Sequence, residues 1–598
     1  MSTIPNQLAA LRAEMEKYQL DAYLIPSSDP HQSEYVAPHW EVRPWLSGFT
    51  GSAGTLVVTP TFAGLWTDSR YFLQAEQELA GTGIDLMKQQ IPHAPEHIDW
   101  LANSIPAGGK MGFDGKVVSY AQARSLRNKL LSKGVEIVAE YDLPAVIWTK
   151  DRPALPQTPV YELEEKFSGE SRGNKIAKVR EWLKTQNADS ILLVALDEIA
   201  WTLNIRASDV NFNPVCISYL WISLDQAIWF VEASRIEPKL QARLATADIQ
   251  LADYGAISSH LSDLPVDHSF AFDSATLSYQ HHQLVQDKKT VNRTSPIVAL
   301  KTIKNETEIA HVRHAMRKDG AALLRLFHWL DETLKARSVS EVELAEKLSS
   351  FRAEQQYYKG DSFPAIVGYK GNGAIIHYRA EPSSCAMIKA EGVLLLDSGG
   401  QYLDGTTDIT RTVALGPSTI EQRRHFTLVL KGMIALSRAR FPKGTGGAQL
   451  DTLARQFLWQ DGLNYGHGTG HGVGFFLNVH EGPQGFATSA VTSRGRTPFE
   501  AGMLTSNEPG FYRTDHYGIR IENLILCVED QSTDYGEFLR FETLTLFPID
   551  RKMIQLDLLS ETETQWLNDY HKQVMDGILP LLTDEEEREW LRFQCRPL

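Results

Sequence analysis

The chain contains one α/β pattern twice. "DAYLIPSSDPHQSEYV" at 21–36, ahead of "RPWLSGFTGSAGTLVV" at 43–58, has a counterpart in "DSILLVALDEIAWTLNIRASDVNFNPVCISYLWI" at 189–222. In each copy a helix leads into an apolar strand ending in polar residues. An aromatic segment and a further strand follow. Such self-similarity marks an internal duplication of a supersecondary unit. At 598 residues the chain is also too long for a single hydrophobic core, so two to four domains are expected. A Pro-rich stretch, "TKDRPALPQTPVYELEEKF", separates the copies. A second boundary falls near residue 300, where "NETEIAHVRHAMRKDGAALLRLFHWLDETL" opens with Asn305 and Glu308 in capping-box spacing and continues with helical periodicity. The expected fold is α/β (α+β): two related N-terminal domains over 1–155 and 156–298, then a third over 299–598.

Composition narrows the function classes. An apolar fraction of 43% and a charged fraction of 22% belong to an ordinary globular protein. A net charge of −15 argues against nucleic-acid binding, which needs a basic face. The four cysteines, Cys216, Cys385, Cys527 and Cys595, are far apart, which excludes a thiolate zinc cluster and fits a reducing compartment. No run approaches the ~20 apolar residues a membrane span needs. A cytoplasmic location is expected, with no membrane partner.

The chemically suggestive residues gather in the third block. In "GVLLLDSGGQYLDGTTDITRTVAL" (392–415), Asp397 ends an apolar run, where a carboxylate needs a partner or a cation. Asp408 begins the next strand-like run, and adjacent strands ~5 Å apart would bring both together. The alternative for either is a turn role, which is the role expected of Asp404. Glu508 lies in "LTSNEPGFY" (504–512). "HYGIRIENLILCV" (516–528) alternates strictly, which puts Arg520 and Glu522 on one face of one strand, where the guanidinium would keep the carboxylate ionised. The alternative is an ordinary ion pair on an edge strand.

"GHGTGHGVG" (466–474) carries His467 and His471. Its glycines, each costing ~1 kcal/mol in a helix relative to alanine, favour an extended chain. Residues four apart then stand about 13 Å from one another at ~3.3 Å per residue, too far for two imidazoles to share one ion through ~2 Å bonds. At most one is a ligand to a given metal. Four carboxylates with one imidazole suit two hard or borderline divalent ions, manganese before cobalt, iron or zinc. Ions ~3.5–4 Å apart would hold a bridging hydroxide able to attack a carbonyl. His311 and His314, three apart on a helix, are read as joined by no carboxylate or cysteine and are expected to be solvated or packed rather than ligands. "GFTGSAG" (48–54) lacks the lysine of a phosphate loop and is expected to be a tight turn.

"LLLDSGGQYLDGTTDITRTV", "GHGTGHGVGFFLNVHEGP", "NEPGFY" and "GIRIENL", with "RPWLSGFTGSAGTLVVTP" and "ALDEIAWTLNIR" upstream, resemble the pita-bread metallopeptidases, and within them the large three-domain cytosolic form of aminopeptidase P. The resemblance covers essentially the whole chain. It implies that Asp397, Asp408, His471, Glu508 and Glu522 are metal ligands, with Asp408 serving both ions and Glu522 bridging them. It further implies that His377 ("AIIHYRA") and His480 ("NVHEGP") contact the scissile bond and stabilise the tetrahedral intermediate. His467 would line the pocket near the prolyl ring, Arg520 would organise charge, and Glu508 would shuttle a proton. Expected partners are peptides with proline second, and a second copy of the chain in a homodimer. Two competing readings are a prolidase restricted to dipeptides, and a pita-bread relative that binds without catalysis or works without metal.

Overall fold

The computed structural model describes residues 3–90 and 95–598, and the chain forms two compact units, Met1–Glu165 with Glu170–Val298, and Lys166–Gly169 with Ala299–Leu598. The first unit contains the duplication. One six-stranded sheet runs, in spatial order, Asp85–Lys88, Ala63–Thr67, Thr55–Val58, Ala22–Ile25, Lys110–Phe113, Glu136–Val138; the other runs Ile249–Ala252, Ala227–Phe230, Tyr219–Ser223, Ser190–Leu193, Ser269–Phe272, Lys289–Asn292. Parallel and antiparallel pairings follow the same sequence in both. In the strand "AYLI", Tyr23 and Ile25 pack into one core cluster while Ala22 and Leu24 pack into another. Both faces are covered, so the strand is apolar throughout rather than alternating.

The two copies meet through equivalent segments. Ser119 and Ser278 each cap a helix and form an antiparallel bridge with one another. Tyr120 N–H donates to the Leu277 carbonyl and Tyr279 N–H to the Val118 carbonyl, both at 2.8 Å. This reciprocity is the signature of a two-fold contact, here within one chain. A second repeated string, "DGKVVSY" against "DSATLSY", carries it.

The second unit opens on the helix Glu306–Thr333, whose Asn305 and Glu308 exchange side-chain-to-backbone bonds at 3.0 Å. This helix, Ile420–Ser437 and Glu561–Ile578 share a core with the strands Val393–Ser398 and Ile409–Ala414, through Leu324, Val429, Val574 and Leu394. Those two strands pair antiparallel, with Asp397 opposite Thr410. A six-stranded sheet in the order Arg440–Pro442, Gly536–Thr543, Asn523–Thr533, Leu504–Asn507, Gly470–Gly472, Glu481–Phe486 supplies the other wall. No helix among the described residues is long and apolar enough to cross a membrane.

Candidate metal centre

Asp397 lies in Val393–Ser398, and Asp408 directly precedes the neighbouring strand. His471 is the middle residue of Gly470–Gly472, and Glu508 follows Leu504–Asn507. The segment around Glu522 differs from the single alternating strand expected. Tyr517–Arg520 belongs to a two-stranded hairpin and Asn523–Thr533 to the six-stranded sheet, with Ile521 and Glu522 in the break. There, Ile521 N–H donates to the Pro509 carbonyl and Glu522 N–H to the Thr410 carbonyl, so neither follows a ladder.

These elements bring one ligand atom each of Asp408, His471 and Glu522 within 4.8 Å of one another, all three residues buried. His471 Nε2 lies 3.6 Å from Asp408 Oδ2 and 3.5 Å from Glu508 Oε1. Its Nδ1 is 2.9 Å from the Gly472 carbonyl. A carbonyl only accepts, so Nδ1 carries the proton and the Nε2 lone pair points at the carboxylates, as a metal-ligating histidine requires. Asp397 Oδ1 and Glu522 Oε1 are buried with no hydrogen-bond partner. Burial pushes the carboxyls of Asp408 and Glu522 well above their usual range, and neighbouring carboxylates push in the same direction. Glu508 is pushed up to about 7, again by burial first, with Arg520 opposing and Asp397 adding. Crowded carboxylates with orphaned oxygens around an oriented imidazole form a donor set that fits divalent cations, whose charge would offset the repulsion.

Arg520 contacts a carboxylate other than the one expected. Its Nη2 donates to Asp397 Oδ2 at 2.5 Å and its Nε to Thr410 Oγ1 at 3.2 Å; Thr410 Oγ1 in turn donates to Glu522 Oε2 at 2.7 Å. The strand break separates Arg520 from Glu522, and the guanidinium turns to the neighbouring sheet. Arg520 Nη1 also donates to the Tyr512 hydroxyl at 2.7 Å, which lies 2.8 Å from His467 Nε2. His467 Nδ1 faces the Gly468 carbonyl at 2.7 Å, so Nε2 accepts from Tyr512. A continuous chain thus runs from Asp397 through Arg520 and Tyr512 to His467. Tyr512 and Thr410 were not singled out from the sequence, although both sit inside the motifs "NEPGFY" and "DITRTV".

His480 stacks edge-on against His471 with ring centroids 4.4 Å apart. Ile376, the neighbour of His377, offers its carbonyl to Arg520 Nη2 at 3.5 Å. His467 and His471 therefore have separate surroundings, Tyr512 for one and carboxylates for the other. Arg455, on Gly447–Gln460, pins the loop by donating to the His467 carbonyl at 2.6 Å. Asp404 does sit in a turn, but it also holds a buried ion pair with Lys318 Nζ at 2.8 Å and lies 2.7 Å from Nδ1 of the half-exposed His314.

Comparison with known proteins places the chain. Residues 310–529 match the model of metallopeptidase family M24, residues 537–598 the C-terminal region of peptidase M24, and residues 7–141 and 151–308 each match the creatinase/prolidase N-terminal domain. The chain is 42% identical over 605 residues to "Probable Xaa-Pro aminopeptidase P" of Laccaria bicolor, covering 99% of this chain and 93% of that one. It is 40% identical to "Aminopeptidase P2" of Arabidopsis thaliana, covering 97% and 86%. Among solved structures, the X-prolyl aminopeptidase of Caenorhabditis elegans, described as a cytosolic enzyme with a di-nuclear active site, superposes with a TM-score of 0.95 at 35% identity over 100% of both chains. The chain belongs to metallopeptidase family M24, in its Xaa-Pro aminopeptidase P branch.

Proposed function

We propose that the chain is a metal-dependent aminopeptidase that hydrolyses the bond between an N-terminal residue and a following proline. The observation carrying this reading is the buried carboxylate set around His471, with Asp397 Oδ1 and Glu522 Oε1 lacking hydrogen-bond partners. Asp397, Asp408, His471, Glu508 and Glu522 would hold two divalent ions, most consistent with manganese because oxygen donors dominate. When bound, the ions polarise the scissile carbonyl and lower the pKa of a water molecule. Glu508, whose Oε1 lies 3.5 Å from His471 Nε2, would take a proton from the attacking water and pass it to the prolyl nitrogen. That nitrogen belongs to a tertiary amide without N–H, so it cannot leave until it gains a proton. His377 and His480 donate to the oxyanion of the tetrahedral intermediate. His467, oriented by Tyr512, lines the prolyl side, while Arg520 holds Asp397 in place.

The same reading includes a three-part division at 1–155, 156–298 and 299–598, a homodimer and a cytosolic location; the relative from Caenorhabditis elegans, itself called cytosolic, supports the last. Chelation should abolish cleavage of an Arg-Pro-Pro tripeptide and manganese should restore it. Full activity in metal-depleted protein would refute the reading. Cleavage of Arg-Pro without cleavage of the tripeptide would point to a prolidase instead.

A further inference from the structure

Arg411 is buried at 2% exposure, and its guanidinium bonds only to neutral groups among the described residues. Nη1 donates to the carbonyls of Glu522 at 2.6 Å and Thr410 at 3.0 Å. Nη2 donates to Asn523 Oδ1 at 2.8 Å, the Phe547 carbonyl at 2.7 Å and the Tyr570 hydroxyl at 2.8 Å, and Nε donates to the Pro548 carbonyl at 3.1 Å. A buried guanidinium without a carboxylate partner is costly, and this one sits behind the backbone of the carboxylate-rich strand break. The Tyr570 hydroxyl lies 2.9 Å from the Phe547 carbonyl and 3.1 Å from that of Thr545. It comes from the helix Glu561–Ile578 in the C-terminal region. Residues 521 and 522 have no ladder to hold them. Glu522 is fixed by its N–H on the Thr410 carbonyl, its Oε2 on Thr410 Oγ1, and its own carbonyl on Arg411. Only the last of these ties it to the C-terminal helix.

We propose that Arg411 and Tyr570 are positioning residues of the metal centre: the C-terminal helix sets, through Arg411, where the Glu522 carboxylate stands opposite Asp408. The C-terminal region is thereby an outer wall of the site rather than an appended segment. The inference rests on the proposed role of Glu522 in metal binding. Its chemistry is that of outer hydrogen-bond partners, which orient a ligand they do not replace and typically change metal affinity about 10–100-fold when lost.

The test is calorimetric titration of metal-depleted full-length protein with manganese chloride. Tyr570→Phe removes one hydroxyl and is expected to retain two manganese equivalents while weakening one of them about tenfold or more. Its lowered turnover at limiting manganese should recover at saturating manganese. Lys431→Met, which breaks a 2.6 Å ion pair with Glu563 on the same helix, should lower thermal stability and leave manganese affinity unchanged. Wild-type affinity for both equivalents in Tyr570→Phe overturns the proposal whatever its melting temperature. Should that variant not fold, wild-type affinity in Arg411→Lys overturns it equally. A wild-type protein that binds no manganese would instead refute the metal-centre reading itself.

Discussion

Asp397, Asp408 and Glu522 are buried beside the half-buried Glu508, and among the described contacts the guanidinium that reaches one of these carboxylates is that of Arg520, on Asp397. Neighbouring carboxylates raise one another's pKa, so their mutual repulsion disfavours the fully ionised, metal-depleted site. The folded carboxyl of Glu508 at about 7 stands above its ordinary 4.5, so the folded state binds more protons there, and this group's contribution to the metal-depleted protein's stability is full below pH 4.5 and lost as pH rises through 7. Manganese should raise the melting temperature at pH 7.5 far more than at pH 5, as read by calorimetry on chelated and reloaded protein. Glu522→Ala should lose paired metal binding and at least 10³-fold in kcat. His467→Ala should keep both metals, by elemental analysis, and lose turnover; Tyr512→Phe should show a smaller loss of the same kind, roughly 10-fold. Residue types and spacing pointed to Asp408, His471 and Glu522 as candidates, and these are the residues whose ligand atoms the fold gathers within 4.8 Å. The partner of Arg520 was not legible, because alternation says which residues share a face but not where the strand stops.

The histidine-bearing loop and strand show why glycine recurs between 466 and 474. A Cβ on Gly470 would fall on the Ser506 carbonyl and the Phe486 ring, and one on Gly472 on the Glu481 carbonyl and the Gln484 amide. The close approach of Gly470–Gly472 to both neighbouring strands puts His471 beside Asp408 and Glu508. Gly470→Ala should therefore destabilise the unit by about 1–3 kcal/mol and weaken manganese binding, measured by denaturation and titration in parallel. The composition of this loop ruled out a helix in the sequence alone. The break at Ile521 and Glu522 was invisible there, since its cause is two acceptors, the carbonyls of Pro509 and Thr410, that only the tertiary fold brings near. His314 is half-exposed, as expected, but its bond to Asp404 could not be read from the sequence for the same reason, since Asp404 is 90 residues away.

At the scale of the whole molecule, the duplication was readable from helix–strand order, and the identical strand orders of the two sheets follow from it. The reciprocal contact of the copies was readable only in hindsight, from "DGKVVSY" and "DSATLSY". His281, buried near this contact, has its pKa lowered from 6.5 to about 4, first by burial and then by His31 and Lys116. The fold keeps it neutral while the unfolded chain takes up a proton, so stability is full above pH 6.5 and falls as pH drops towards 4. Denaturant titrations of the N-terminal unit's tryptophan signal from pH 7.5 to 4.5 should show a loss of a few kcal/mol at most, with a shallower slope in His281→Leu. The claim that unites the molecule is that its third block is a metal-dependent peptidase for Xaa-Pro N-termini. The most direct measurement is mass-resolved hydrolysis of Arg-Pro-Pro by the full-length chain, chelated and then reloaded with manganese. The account predicts no product without metal, and arginine plus Pro-Pro once manganese is returned. Equal release of arginine by the chelated protein, or an intact tripeptide after reloading, would contradict it.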